Sequence, residues 1–573
     1  MESSWQPYKP AFPGENWDER DLNYLEPFCS NPKGLISVLT NLPPEIAGAL
    51  CSRASRAQNS LFRVLLKEYL YPILDGEDKV LAQELEETVE FFKHHGFKNI
   101  LNNQRAQSFY AKWLSQYGDD SIAQLTGTHV VFWGISQVAM KFLEDRRIGL
   151  EPIEKSTRYV NFGNKIAGNY LYYTSVPDLE KLGLTSEYKK TLDTLFDTYV
   201  EILPPLLEWL KKNFDDKESI LEKKAFDTLR GLLPMATLGQ VAFRGNAQAF
   251  EYLLSRTLKH PLGELRWIAN TLKTELDKEI PSLLLRLSEE NSQGYQEYLV
   301  NRGQKVHAHL TKKQAERSPV PTRDSDLAAG YQDLIDRSGV DVRLVELDLD
   351  AENKIITSII FPEIHESYEK IFDKVRKMSP AEKEEILEAY TGGRKARWYK
   401  VGRPLENSYL KFEIVMDIGA YRDVHRHRIM TQDRQRFSCH HGYTIPKEIQ
   451  ELGFAGKFES ALNQAKILFD KIELHDPELA QYVVPLAYRI RFYQWQNFRQ
   501  FFWETELRTI SQGHPDYRYI EQEKYKLVKE KFPTLAKYMF VDMADYAIAR
   551  RGTEEGIKKK EESLIEKLRT KRD

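Results

Sequence analysis

The chain has 573 residues and a formal net charge of −3, so it is long enough for two to four domains and projects no global field toward a polyanion. Hydrophobic residues make up 41% and no apolar run reaches spanning length, which excludes a membrane-crossing helix and leaves arginine clusters to act locally. The polar N-terminus lacks the basic and apolar regions of a signal peptide, and three scattered cysteines (Cys29, Cys51, Cys439) make no disulfide framework, so a cytoplasmic location is expected.

The first cluster of fixed charge along the chain is Asp145-Arg146-Arg147-Ile148, followed by Glu154-Lys155-Ser156-Thr157-Arg158-Tyr159. Residues 185–224 carry leucines and aromatics at three-and-four spacing, which predicts an amphipathic helix. Residues 311–330, TKKQAERSPVPTRDSDLAAG, read as a linker. Next, VRLVELDLDAENKIITSIIF (342–361) alternates around a polar Asp-Ala-Glu-Asn and predicts a β-hairpin. The strand-like YLKFEIVMDI (409–418) leads into DVHRHRIMTQDRQRFSCHHGY, where Arg426-His427-Arg428 sets two fixed cations around one imidazole. Guanidinium forks suit phosphate oxygens and flat rings, so a nucleotide or dinucleotide site is expected at the end of that strand. The charge-dense 554–573 has no expected chemistry.

A weak internal repeat organises the rest. Residues 232–261 read LLPMATLGQVAFRGNAQAFEYLLSRTLKHP, and 483–515 read VVPLAYRIRFYQWQNFRQFFWETELRTISQGHP. Pro234 matches Pro485, Asn246 matches Asn497 and Gln248 matches Arg499; Arg256-Thr257 and His260-Pro261 then match Arg508-Thr509 and His514-Pro515. The expected organisation is a first copy with an N-terminal extension (1–310), a linker (311–335), a second copy (336–550) and a charged tail (551–573). The expected fold is α+β in two related halves, each an antiparallel sheet packed with long helices.

With R-H-R at 426–428, a serine in the E-x-S-x-R-Y context of Glu154 to Tyr159, and a Pro, Asn-x-Arg, Arg series from Pro485 to Arg508 read as one long helix, the chain resembles the flavin-dependent thymidylate synthases. Gly402-Arg403-Pro404-Leu405-Glu406 resembles the segment before that family's central strand. The resemblance implies reductive methylation of dUMP to dTMP, with FAD as cofactor and methylenetetrahydrofolate and NADPH as co-substrates. It also implies a homodimer imitating the family's homotetramer, with no nucleic-acid or membrane partner.

The two halves depart from the pattern in complementary ways. The first keeps Glu154, Ser156, Arg158 and Arg230 but has Arg146-Arg147-Ile148 in place of the triplet and Gln124 where the second has Glu406. The second keeps Glu406, Arg426, His427, Arg428, Asn497, Arg499 and Arg508 but has Arg436 at the serine position and Gln481 at that of Arg230. Each half lacks what the other supplies, so an active site shared between the halves is expected. The resemblance assigns Glu406, Arg426, His427, Arg428, Asn497 and Arg499 to the cofactor, and Glu154, Ser156, Arg158, Arg230, Arg426 and Arg508 to dUMP. It makes Arg508 the catalytic group that stabilises charge on the uracil ring. Asp423, Arg434 and Arg436 are nearby groups that either bind substrate or block it.

Plainer readings exist for each residue. Asn246 and Asn497 also suit helix caps, Glu154-x-Ser156-x-Arg158 an exposed strand face, and Arg508 a helix C-terminus. A metal enzyme built on His425, His427, His440, His441 and Cys439 is disfavoured by the interleaved arginines, and no metal is expected. A nucleophilic Cys439 lacks its surrounding pattern. A catalytically silent nucleotide- or flavin-binding scaffold is the alternative to the enzyme.

Overall fold

The computed structural model describes residues 4–95, 103–116, 120–145, 148–317, 341–546, 560 and 563. Arg146, Arg147, most of the expected linker and nearly all of the charged tail lie outside the described residues. Residues 311–317 of that linker continue the helix Glu290–Arg317. The chain forms two compact units. The first comprises Met1–Leu206, Ala225–Arg323 and Glu448–Pro485; the second comprises Leu207–Lys224, Asp324–Lys447 and Leu486–Asp573. The units therefore do not follow the linear halves, although each holds one sheet.

In the first unit the strands are β1 (Ile36–Leu39), β2 (Gly127–Ser136), β3 (Leu150–Glu154) and β4 (Leu238–Asn246), in the antiparallel order β1-β2-β4-β3. Helix α1 (Gln137–Glu144) follows β2, α2 (Thr185–Asn213, its residues from Leu207 on counted with the second unit) precedes β4, and α3 (Ala247–Thr257) and α4 (Gly263–Asp277) follow it. An N-terminal layer covers one face: Leu25, Phe28, Leu61, Phe62, Leu65 and Leu66 form a core with Val131 and Ala242 of the sheet. Burying each such side chain contributes about 1.5–3 kcal/mol, enough to fasten this layer to the strands.

The second unit repeats the plan with β5 (Asp341–Leu347), α5 (Ala351–Ile360), β6 (Tyr409–Asp417), α6 (Ile418–Val424) and β7 (Thr431–Arg434), then β8 (Arg489–Asn497), α8 (Phe498–Arg508) and α9 (Pro515–Lys531). Helix α7 (Ala455–Glu473) lies between β7 and β8 in sequence but belongs to the first unit. The sheet order is β5-β6-β8-β7, the same as in the first unit. Leu410, Phe412, Ile414 and Met416 alternate inward along β6, while Tyr409, Lys411 and Glu413 point outward, as a pleated strand requires.

The likeness reaches individual hydrogen bonds. Gln137 N and Val138 N donate to the carbonyls of Thr237 and Met235, as Ile418 N and Gly419 N do to those of Tyr488 and Leu486. Asn246 caps α3 by accepting from Ala249 N at 2.9 Å, and Asn497 caps α8 by accepting from Gln500 N at 2.8 Å. His260 Nδ1 accepts from Leu262 N at 3.1 Å and His514 Nδ1 from Asp516 N at 3.2 Å, so the repeated His-Pro is a helix-entry device in both copies. The α+β fold in two related halves is present, and the repeated asparagines have a capping role that the plainer reading anticipated.

Four local expectations are corrected. The hairpin at 342–361 is a strand followed by a helix: β5 pairs with β6, and Ile355 and Ile356 are fully buried on α5. Tertiary burial here overrides β-branched propensity. The single long helix holding Pro485 to Arg508 is instead strand β8 and then helix α8, divided at Asn497, because RIRFYQWQN alternates with period two before the cap. Arg256 and Arg508 are not equivalent helical positions, since Arg508 lies one residue further from its capping asparagine. The amphipathic stretch 185–224 is helical, but α2 ends at Asn213 and a second helix, Glu218–Leu229, begins after a break.

Candidate functional site

In the second unit a hollow of about 250 Å³ opens beside the start of α8 and is lined by Arg394, Lys400, Glu406, Asn497, Arg499 and Trp503, among others. The cap at Asn497 places Arg499 in the first helical turn, where Arg499 Nη1 pairs with Glu406 Oε1 at 2.6 Å and Nε donates to the Val401 carbonyl at 3.2 Å. Partial burial alone would raise the Glu406 carboxyl, but hydrogen bonds from Arg499 and Arg403 outweigh it and hold the group below the ordinary carboxylate range. Burial lowers the Lys400 ammonium; Glu506 opposes this, and the adjacent Arg397 and Arg394 add to it. Such crowded positive charge favours an anionic ligand.

The triplet follows α6 directly and splits by exposure. Arg426 and Arg428 face solvent, whereas His427 is 4% exposed. Arg508 Nε donates to His427 Nε2 at 2.8 Å, and the Gln500 carboxamide lies 3.2 Å from Nδ1. An imidazole that accepts at Nε2 carries its proton on Nδ1 when neutral, and that proton calls for the oxygen of the Gln500 amide, rather than its nitrogen, to face it. Trp503 meets the ring edge-on at 5.1 Å, and Asp423 lies 3.5 Å from Arg426. His427, Asn497, Arg499, Arg508 and Glu406 thus share one unit and the two ends of one helix, so Arg508 does more than complement a helix terminus.

In the first unit, α3 and its neighbours line a hollow of about 570 Å³ with Gln124, Asn246, Gln248, Glu251, Tyr252, Arg286 and others. It is the counterpart of the first hollow. Where Arg499 pairs with Glu406, Gln124 Nε2 instead donates to Gln248 Oε1 at 3.0 Å. Arg286 is engaged by Glu251, with Nη2 to Oε2 at 2.6 Å. An ion pair has become an amide pair at matching positions.

The first unit also brings Arg158 and Arg230 together on one carboxylate. Arg158 Nε and Arg230 Nη1 each lie 3.2 Å from an Asp227 oxygen. Arg230 is 4% exposed, and its buried Nη2 has no hydrogen-bond partner. A buried guanidinium with an unsatisfied donor suits a phosphate. Ser156 Oγ accepts from Arg158 N at 3.2 Å and so stays beside this pair. Glu154 turns elsewhere, to the buried Lys141 at 3.0 Å, which also binds Glu144 at 2.7 Å. Strand register equates Ser156 with Arg436, because Lys155 N donates to the Gln240 carbonyl as Gln435 N does to that of Arg491. Arg230 and Gln481 each open the short helical turn before their strand.

The family model described as "Thymidylate synthase complementing protein" matches residues 76–282 and 357–534, one stretch in each half. The chain belongs to this family. A UPF0159 protein of Chlamydia pneumoniae is 34% identical over 92% of this chain and 96% of its own length, and one of Chlamydia muridarum is 35% identical over the same shares. A UPF0159 protein of Thermoplasma acidophilum is 29% identical over 79% of this chain and 92% of its own. Residues 1–75 of this thymidylate synthase complementing family member thus lie outside the matched stretches.

Sequence reasoning passed over Arg394, Lys400, Gln500 and Trp503. The usable signal was RKARWYK (394–400), a basic run with aromatics directly before the flagged Gly402-Arg403-Pro404. Gln500 and Trp503 carried none, since their role comes from the face of α8 that meets His427. Among the described residues no group of three or more His, Cys, Asp or Glu side chains is arranged to hold a metal ion, and no helix is long and apolar enough to cross a membrane.

Proposed function

We propose that this chain is a flavin-dependent thymidylate synthase that converts dUMP to dTMP with methylenetetrahydrofolate and NADPH. The observation that carries the reading is the assembly of Glu406, His427, Asn497, Arg499 and Arg508 around α8, next to the exposed Arg426 and Arg428. The cation-rich hollow and the two exposed arginines fit the pyrophosphate of FAD, and the Asn497 amide and Trp503 ring fit a flat heterocycle. FAD, when bound, carries the redox chemistry. Arg158 and Arg230, with the unsatisfied Arg230 Nη2, fit the dUMP phosphate and hold it through charge-assisted bonds. Arg508 supplies fixed positive charge to the uracil ring, and its bond to His427 keeps it aimed without reorganisation. Each half carries the set the other lacks, and the proposed catalyst needs both.

The first test is an absorbance spectrum of the purified protein after incubation with FAD, followed by dUMP titration. Flavin bands perturbed by dUMP, and dTMP formed when the co-substrates are added, are the expected result. Ser156→Ala and Arg426→Ala are each expected to weaken dUMP binding; an effect confined to Arg426→Ala would end the complementary-halves idea. The amide pair at Gln124 and Gln248 favours a second reading, a silent flavin- or nucleotide-binding scaffold, which predicts bound flavin without dTMP. Asn497→Ala and Asn246→Ala should each cost about 1 kcal/mol of stability as lost caps. Only the former should weaken flavin retention, which paired melting and flavin-release measurements will show.

A further inference from the structure

The residue between Glu154 and Ser156 has no part in the proposed chemistry, yet it is 8% exposed and charged. Lys155 Nζ donates to the carbonyls of Gln58 and Asn59, both at 3.0 Å. Ser156 N donates to the Ser55 carbonyl at 3.0 Å, and Leu61 N donates to the Gln240 side-chain oxygen at 3.1 Å. Residues 55–59 therefore grip the Glu154-to-Arg158 segment through its backbone and through one buried ammonium, and Leu61 adds a bond to the neighbouring strand β4. All of these gripping residues lie in the N-terminal stretch outside the family match.

The second half provides an internal control. Its equivalent of Lys155 is Gln435, which makes the same strand bond but places its side chain 2.8 Å from His441 Nε2. That half also carries Arg436 in place of serine and Gln481 in place of Arg230. Within one chain, the copy that keeps the serine and the phosphate arginines is the copy that has the lysine and the layer it binds. Burial presses the Lys155 ammonium down to about 8, with Glu15 opposing. A charge is thus retained where an apolar side chain would meet less desolvation.

We propose that Lys155 is a positioning residue that ties the N-terminal layer to the substrate loop and thereby sets the aim of Ser156 and Arg158 at the dUMP phosphate. This rests on the functional reading above. A displacement of the loop by about 1 Å is enough to cost on the order of tenfold or more in binding or rate.

The test is dUMP titration and steady-state kinetics of the FAD-loaded wild type, Lys155→Met and Lys155→Arg, each with a melting curve. The expected result is that Lys155→Met raises the dUMP Kd and KM on the order of tenfold with a smaller change in kcat and unchanged flavin retention. Lys155→Arg, which can still donate to both carbonyls, recovers most of the loss. Should Lys155→Met not fold, Lys155→Gln keeps an N–H donor without the charge and answers the same question. A wild type that binds dUMP while the variants bind it equally well overturns the inference alone, as does a loss that Lys155→Arg fails to rescue. A wild type that binds no dUMP removes the functional reading and this inference together.

Discussion

Arg508→Ala is expected to lower dTMP formation by a factor on the order of 10²–10³ while the melting temperature changes little. The side chain sits at the end of α8, half-buried, with Nε on His427 Nε2 and its guanidinium 5.5 Å from the Tyr517 ring centre. It is held from two sides in one orientation, which is what a preorganised electrostatic group requires. The loss should fall on kcat more than on flavin retention, because the cations proposed to hold the cofactor are elsewhere, at Arg426, Arg428 and Arg499. Arg508→Lys keeps the charge but not the planar fork, and should recover only part of the rate. Single-turnover flavin oxidation in the presence of dUMP separates these outcomes. A variant with wild-type turnover would remove Arg508 from the chemistry.

Lys524→Met is expected to destabilise the protein by about 3–5 kcal/mol, read as a lower urea midpoint. Lys524 is fully buried and binds Gln494 Oε1 at 2.8 Å, Glu521 Oε1 at 3.0 Å and Glu504 Oε2 at 3.2 Å. This network joins β8, α8 and α9, and so holds the helix that carries Arg499 and Arg508. Removing the one cation leaves two buried carboxyls facing each other. Burial pushes the Glu521 carboxyl up, with Lys524 opposing and Glu504 adding. A carboxyl raised on folding contributes stability that is complete below its unfolded value near 4.5 and is lost as pH rises through about 7. Glu521→Gln removes that titration. Its stability relative to wild type should therefore improve between pH 5 and pH 8, and a difference that stays flat with pH would contradict the assignment.

How far the fold was legible depended on which signal was local. Strand β6 could be read because its alternation is complete within nine residues and its inward side chains are all apolar. Segment 342–361 could not be read correctly. Its β-branched Ile355 and Ile356 suit a strand, and only burial on α5 makes them helical. The asparagines were visible as a repeated pair, but a cap and a ligand amide look the same in a sequence. The same limit hid Glu154, whose pairing with Lys141 joins α1 to the end of β3. Lys155 drew no notice because its partners are carbonyls almost a hundred residues earlier.

By itself the sequence determined that two copies of one α+β plan stand in this chain, which residues each copy kept, and that the retained arginines form two complementary sets. These are matters of residue type and spacing, and spacing survives in one dimension. The tertiary structure alone decided that His427 is held between Arg508 and Gln500, that Arg158 and Arg230 share Asp227, and that residues 55–59 grip the Glu154-to-Arg158 segment. Each of those depends on side chains brought together from distant points of the chain and on how much water burial removes, quantities that exist only once the strands and helices have packed.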